Sequence, residues 1–527
     1  MLKALKVIFS RESSIRGASF LLIITLALSN LLGVIRDHFL AQYIPTDRLD
    51  IYYTAFRFPD LIFNVLILGA IAAAFVPIYS RILREDGNKK ADEMASNALS
   101  IGLLIIFISL VVLFFIMPVL INLLVPDFDA AKRVETINLA RWLLLSPLFF
   151  TVSYFLGGIL NSHKRFFAYS IAPLIYNLSI IVCIYIFAQR FNVAGAVIGV
   201  IVGAFLHMLI QIPSAISVKF KFKPEFNFRD SNVQKVMKLM LPRAIGLGAN
   251  QVLLLAFTSL ASPFAGAIAI YNLADNIQTV PSVIFGSSFA TAAFPTLAAL
   301  DIEREREATQ FYSVFEKSMR AILFLLVPST AFLILLRAQV IRLILGYGFF
   351  GWEDTRLATG TLGLFALSII AQGLIPLFAR TFYAMHNTLT PMTTSIISII
   401  ISVVLGFIFS KGYAGNFEGV RGLALAFSIG SWANLIMLVI ALSSKVRVRF
   451  KNLWSFLIEL GVLTLIASLA LQLVKIIVSF SFDIDRVKYL FLQTILAGCV
   501  GIIIFLGLAW VFRLPEVRQL KKKSVFF

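Results

Sequence analysis

Apolar runs long enough to cross a bilayer recur from one end of this 527-residue chain to the other, and that recurrence leaves few folds open. Runs of about 18 or more apolar residues read as membrane-spanning helices. Fourteen such segments can be marked: 17–35, 49–79, 98–125, 137–160, 168–188, 193–217, 238–260, 264–299, 321–345, 357–379, 390–410, 421–443, 453–480 and 488–512. The expected fold is therefore all-α and polytopic, with about fourteen spanning helices. Only 14% of the residues are charged and 59% are hydrophobic, too little charge to cover a soluble protein of this length. No stretch is long and polar enough for a separate soluble domain. The first run, Gly17 to Ile35, lacks a small-residue cleavage site and is expected to remain as the first helix.

The second and eighth segments exceed the ~20 residues a bilayer requires. Each contains proline beside polar residues: Arg57, Pro59 and Asp60 in one, Asp275, Asn276 and Pro281 in the other. Bends are expected there.

The net charge of +19 would suggest nucleic acid in a soluble protein. In a membrane protein it reflects basic residues collected in cytoplasmic loops, so no nucleic-acid partner is expected. The segments on the side of the termini carry 30 Lys and Arg, and the opposite set carries 10. This threefold bias places both termini in the cytoplasm and supports an even number of spans.

The chain is also duplicated. Ile51-Tyr52-Tyr53-Thr54-Ala55 resembles Ile270-Tyr271-Asn272-Leu273-Ala274, and Ala73-Ala74-Phe75 matches Ala292-Ala293-Phe294, both at an offset of 219 residues. Pro173 and Pro391 lie 218 apart, each ahead of a span. The expected organisation is one six-helix lobe over 1–217, a second over 218–443, and a helix pair with a basic tail over 444–527. Six spans per copy give a parallel repeat about an axis along the membrane normal, with a substrate site between the lobes.

Charged groups inside spans cost roughly 2.5–3.5 kcal/mol at a helix centre and so face a partner or a wet cavity. Here they cluster in matching places: Arg36-Asp37 at the end of span 1, Asp50, Arg57 and Asp60 in span 2, then Arg243, Asp275 and Asn276 in the second copy. One reading is an anion-binding cavity, with arginine as the donor suited to phosphate. The other is a structural Arg57–Asp60 ion pair, with Arg36 reaching the interface. Glu459 and Lys475 in span 13 suit packing or snorkelling better than a groove site. Lys219-Phe220-Lys221-Phe222-Lys223 reads as an ordinary basic loop ahead of a headgroup-binding one, and 301–307 as a solvated mixed-charge helix.

Cys183 and Cys499 lie in apolar runs, and His38, His163, His207 and His386 are scattered, so neither a disulfide framework nor a metal site is expected. There is no phosphate-binding Gly-rich loop, nucleophile elbow or carboxylate pair. The chain is expected to be a transporter rather than an enzyme, with no cofactor, driven by an ion gradient, membrane potential or the substrate gradient.

Three blocks resemble the signatures of the MurJ (MviN) family. The first is Leu32-Gly33-Val34-Ile35-Arg36-Asp37, Asp50, Ala55-Phe56-Arg57-Phe58-Pro59-Asp60 and Gly69 to Pro77. The second is Pro242-Arg243, Gly246-Leu247, Gln251, Ala274-Asp275, Pro281, Phe285-Gly286 and Ala290-Thr291-Ala292. The third is Phe382-Tyr383-Ala384, Asn387-Thr388 and Thr390-Pro391. The resemblance covers essentially the whole chain. It implies a MATE-like fold of two six-helix lobes plus a helix pair forming a lipid groove. It further implies movement of lipid II, an undecaprenyl-pyrophosphate-linked peptidoglycan precursor, by a monomer embedded among membrane lipids. The substrate residues it implies are Arg36, Asp50, Arg57, Asp60, Arg243, Asp275 and Asn276. The family commonly has Arg at the positions of Asn30, Phe63 and Asn276 and Glu at Leu68, so the cavity here is expected to be less cationic. Export of another polyprenyl-linked glycan or an amphiphile, and a non-transporting cell-envelope scaffold, are the alternatives.

Overall fold

The computed structural model describes residues 15–68, 75–300, 304–412, 419–445, 451–483 and 486–517, with side chains outside the description at 15–23, 68, 241–247, 305, 445 and 451–452. The structure is 87% helical, with no strand among the described residues. Among the described residues eleven helices are long and apolar enough to cross a membrane, or twelve if the bent pair Trp352–Ala366 and Ile369–Ala384 is one span. The chain is a multi-pass membrane protein. The second and seventh expected spans fall on helices outside that set, Thr46–Ile62 with its continuation and Ser231–Ala261. The count of fourteen crossings therefore remains an expectation.

In chain order the helices are α1 (Ile15–Tyr43), α2 (Thr46–Ile62), α3 (Val76–Glu85), α4 (Asn88–Leu124), α5 (Ala130–Leu143), α6 (Leu145–Ser162), α7 (Phe166–Phe191), α8 (Val193–Leu209), α9 (Ile212–Ser217) and α10 (Ser231–Ala261). There follow α11 (Ala267–Pro281), α12 (Ser288–Ala298), α13 (Glu305–Ile344), α14 (Trp352–Ala366), α15 (Ile369–Ala384), α16 (Leu389–Ser410), α17 (Val420–Lys445), α18 (Lys451–Ser481) and α19 (Val487–Val511). They form two compact units, residues 1–269 and 270–527. By packing, α10 belongs with the first unit, whereas the repeat in the sequence counts it with the second copy. These describe different things, contact and descent.

In the first unit α7 and α8 pack tightly because glycine recurs every fourth residue on α8. A Cβ at Gly199 would lie 2.8 Å from Cys183 Cβ, and one at Gly203 would lie 2.9 Å from the Tyr176 ring and carbonyl. In hydrocarbon, close backbone approach of this kind replaces the hydrophobic driving force available in water. After α9 the chain runs along the start of α4. There the Asn97 side chain accepts from Asn227 N at 2.9 Å and donates to its carbonyl at 3.0 Å, and Ser96 accepts from Lys223 N at 3.1 Å. Lys219, Lys221 and Lys223 stay exposed.

The second unit is built around α13 and α15. Phe311, Phe315, Phe324 and Phe378 are almost completely buried there, and α18 and α19 pack onto α13.

Where bends are expected, the helix changes type; the bent pair among the described residues is instead α14 with α15, at 41°. After α2 the chain continues as a π-helix over Phe63–Leu68, and after α11 as another over Ser282–Ser287. These segments match at the 219-residue offset, residue for residue. The prolines do not: Pro59 precedes its segment by four residues, whereas Pro281 abuts the other. The break is thus a property of the repeated position. π-Segments of this kind recur at functional sites. Residues 69–74, part of the first block resembling the MurJ signatures, lie outside the described residues.

The second π-segment needs glycine. A Cβ on Gly286 would lie 2.4 Å from both Cα and O of Gly373 on α15, and backbone cannot yield as a side chain can. Gly286→Ala is expected to lower stability by roughly 1–3 kcal/mol. Gly373→Ala is expected to cost less, because the new methyl meets Leu326 Cδ1, the end of a flexible side chain. Thermal unfolding in detergent compares the two; equal losses would mean that the backbone contact is not the cause.

His163 follows α6 and meets the Tyr79 phenol at 3.1 Å through Nε2. Burial, and then the Arg165 charge, hold its imidazole below the usual 6.5. The folded chain therefore resists a proton that the unfolded chain accepts. Stability present above about pH 6.5 is lost as pH falls through that value towards the folded pKa. His163→Gln is expected to lose less thermal stability than wild type between about pH 8 and about pH 5.5. Equal losses would exclude His163 as the source.

Candidate functional site

The charged residues singled out in the first copy all lie in the first unit, on α1 and α2. Pro45 precedes α2 and Asp47 occupies its first turn, where a negative charge suits the helix dipole. Helical spacing then puts Arg57 and Asp60 on one face.

Arg36 donates from Nη2 and Nε to Asp37 Oδ1, at 2.8 and 3.1 Å, and from Nη1 to Asn177 Oδ1 on α7 at 3.3 Å. Asn177 in turn donates to Ser29 Oγ at 3.3 Å and to the Pro173 carbonyl at 3.3 Å. Asp37 is 1% exposed and the Arg36 side chain 22%. The phenols of Tyr52 and Tyr53 lie within electrostatic range of Arg36.

Arg57 is almost closed off, and its Nε donates to Thr258 Oγ1 on α10 at 2.7 Å. Asp60 is partly buried and feels the Arg57 charge. On the same two helices Asn30 Nδ2, Tyr53 Oη and Thr54 Oγ1 are buried without a hydrogen-bond partner among the described residues. Such groups cost free energy unless something fills them. The arrangement sets two guanidinium groups and neutral polar side chains beside the carboxylates of Asp37 and Asp60 in a membrane-embedded setting.

Asp50 differs. It is completely buried, and both oxygens are occupied within the protein. Oδ2 accepts from Lys132 Nζ at 3.1 Å and Gly266 N at 2.8 Å, and Oδ1 accepts from Ala269 N at 2.9 Å. The carboxylate holds the turn that enters α11, and its geometry gives it an organising role rather than contact with a ligand.

In the second copy Asp275 Oδ1 accepts from Gln278 Nε2 at 2.8 Å, and Gln278 Oε1 accepts from Ser368 Oγ at 3.3 Å. Asn276 is partly exposed on the same helix. Arg243 lies on α10, but its side chain is outside the described residues.

Phe63, where arginine is common in the MurJ family, stands in an aromatic cluster, 5.2 Å from Phe150 and 5.3 Å from Tyr154. Against that cluster lies a polar group absent from the sequence-based expectations. His207 on α8 is 5% exposed and shares a 2.6 Å hydrogen bond between Nδ1 and Ser153 Oγ. Ser153 also accepts from Gln211 Nε2 at 2.5 Å. The available signal was a histidine in an otherwise apolar span; no metal-ligand spacing set it apart from the other three histidines.

Residues 42–491 match the family model described as lipid II flippase MurJ, a stretch that begins just after Arg36. The chain is 29% identical over 429 residues to a probable lipid II flippase MurJ of Rhizobium tropici, covering 79% of this chain and 78% of the relative. It is 25% identical over 494 residues to the Rickettsia prowazekii (strain Madrid E) protein of the same description, covering 92% and 95%. Among solved structures it is similar to lipid II flippase MurJ in an inward closed conformation, with TM-score 0.76, 23% identity, and 95% and 100% coverage. It also resembles an inward-facing multidrug resistance MATE family transporter of the MOP superfamily, with TM-score 0.63, 14% identity, and 81% and 96% coverage. The MATE-like transporter fold expected from the resemblance is the fold observed.

Proposed function

We propose a function from one premise: this chain belongs to the MurJ family. It moves lipid II from the inner to the outer leaflet of the cytoplasmic membrane by alternating access. Arg36 and Arg57 meet the pyrophosphate, and Asp37, Asn177 and Thr258 hold the two guanidinium groups in place. The observation that carries this reading is the pair of arginines on α1 and α2 of a membrane-spanning fold, each fixed by polar neighbours. A pyrophosphate crossing a low-dielectric layer needs such compensation. Guanidinium supplies it with two-point geometry.

Both termini lie in the cytoplasm, as the 30 to 10 distribution of basic residues supports. The protein acts as a monomer without a cofactor or catalytic step, and an ion gradient, the membrane potential or the substrate gradient drives it. Phe63 and Asn276 favour one second reading. With an aromatic ring and an amide where the family commonly has arginine, the substrate is another polyprenyl-linked glycan of lower charge demand.

Complementation tests the assignment. Expression of the wild-type chain is expected to restore growth and cell shape to a bacterium depleted of its lipid II flippase. Failure at wild-type-like membrane levels would replace lipid II by the second substrate. Failure of every lipid-linked glycan in reconstituted vesicles would leave only a scaffold.

A further inference from the structure

The second unit gathers cations where α13 and α18 finish and α14 and α17 begin. Gly360 and Gly363 are three residues apart on α14 and so share a face. Each is covered by an arginine. A Cβ at Gly360 would lie 2.7 Å from Arg421 Nε and 3.2 Å from its Cζ; one at Gly363 would lie 3.0 Å from Arg337 Cδ and 3.2 Å from its Nε. Cβ positions at that spacing are roughly 5–6 Å apart, which places the two Nε atoms within about 11 Å of each other. Lys475 of α18 is near enough to Arg337 for like-charge repulsion.

None of the three is paired with a carboxylate among the described residues. Arg337 donates to the Ile334 carbonyl at 2.6 Å and Lys475 to the Leu335 carbonyl at 2.9 Å, partners that bring no full charge. Arg421 Nε is buried with no acceptor among the described residues. Arg421 also stands in the first turn of α17, where the helix end is itself positive. A snorkelling arginine would carry its guanidinium out to water; this one is folded back onto a glycine. Like charges brought together in a partly buried setting repel, and only an anion relieves them.

The geometry points to a second oxyanion site, in the second unit, that takes a phosphate or diphosphate group between Arg337 and Arg421 with Lys475 adding charge. The glycines are part of it, because a side chain at either would push the guanidinium away. It shares no residue with the arginines on α1 and α2 and does not depend on them. With cytoplasmic termini it lies at the outer end of its unit, at the level of lipid headgroups. The phosphate is therefore either free or carried by an anionic lipid.

The test uses the full-length chain carrying Arg36→Gln and Arg57→Gln, so that the first-unit arginines do not report. Binding of inorganic pyrophosphate is measured by calorimetry in neutral detergent. Retention of phosphatidylglycerol against phosphatidylcholine is measured by native mass spectrometry from mixed nanodiscs. Adding Arg337→Gln and Arg421→Gln is expected to weaken at least one of the two by tenfold or more. Loss for pyrophosphate alone identifies a soluble or diphosphate ligand, and loss for phosphatidylglycerol alone a lipid. Unchanged binding of both probes overturns the site. If the double change prevents folding, Arg421→Gln alone is measured with the same two probes, since removing a cation from a first turn favours the helix. Unchanged binding by that variant overturns the site equally.

Discussion

Arg36→Ala and Arg57→Ala are each expected to abolish rescue of a flippase-depleted bacterium while the protein stays in the membrane at its normal level. Asp37 and Asn177 anchor the Arg36 guanidinium and Thr258 that of Arg57, and Arg36 keeps 22% exposure. Hydrogen bonds to a charged group contribute about 1.5–3 kcal/mol each, so losing a two-point contact removes more than tenfold in binding. Lysine at either position is expected to restore only part of the activity, because it keeps the charge without the planar fork. Asn276→Arg, which reinstates the residue common in the family, is expected to be neutral or to improve rescue. Growth curves with matched immunoblots decide the matter. Full rescue by both alanine variants would remove these arginines from the mechanism and leave them as structural residues.

Asp50→Ala is expected to act on folding instead, with a loss of about 3–5 kcal/mol, the usual range for breaking a buried ion pair. The change strands Lys132, which is 13% exposed, and leaves the N–H groups of Gly266 and Ala269 without their acceptor. Asp50→Asn is expected to lose less, since one oxygen still accepts while the amide NH2 faces a donor. Lower thermal midpoints and less folded protein, in the order Ala below Asn below wild type, are the expected readout. A stable Asp50→Ala protein that fails only in rescue would return Asp50 to the substrate site. The two predictions separate cleanly: the arginine variants lose function at normal abundance, and the Asp50 variants lose abundance.

The charged residues of the candidate site were legible because charge inside hydrocarbon is expensive and therefore conspicuous. Arg36, Arg57 and Asp60 stood out against apolar neighbours, and the structure places Arg36 and Arg57 in polar networks. Asp50 stood out for the same reason, but its partners lie 82, 216 and 219 residues away. No local pattern reports that both carboxylate oxygens are filled. His207 did not stand out because an uncharged polar side chain in a span looks the same whether it meets Ser153 or nothing. Arg337 lies within the ninth expected span and Arg421 opens the twelfth, 84 residues on; their shared seat on Gly360 and Gly363 is a fact of packing.

The sequence by itself determined the helices and most of their lengths, because a bilayer demands long apolar segments with internally satisfied backbones. It also marked two segments, through proline and polar residues, in which the helix changes type. Only the tertiary structure decided that the change is to π-helix at matching positions, that the bent pair is Trp352–Ala366 with Ile369–Ala384, and that Gly286 must lie against Gly373. It alone decided which buried charges are satisfied and which are left open. Those outcomes depend on contacts between residues far apart in the chain, where a difference of an ångström separates a closed hydrogen bond from an open binding face.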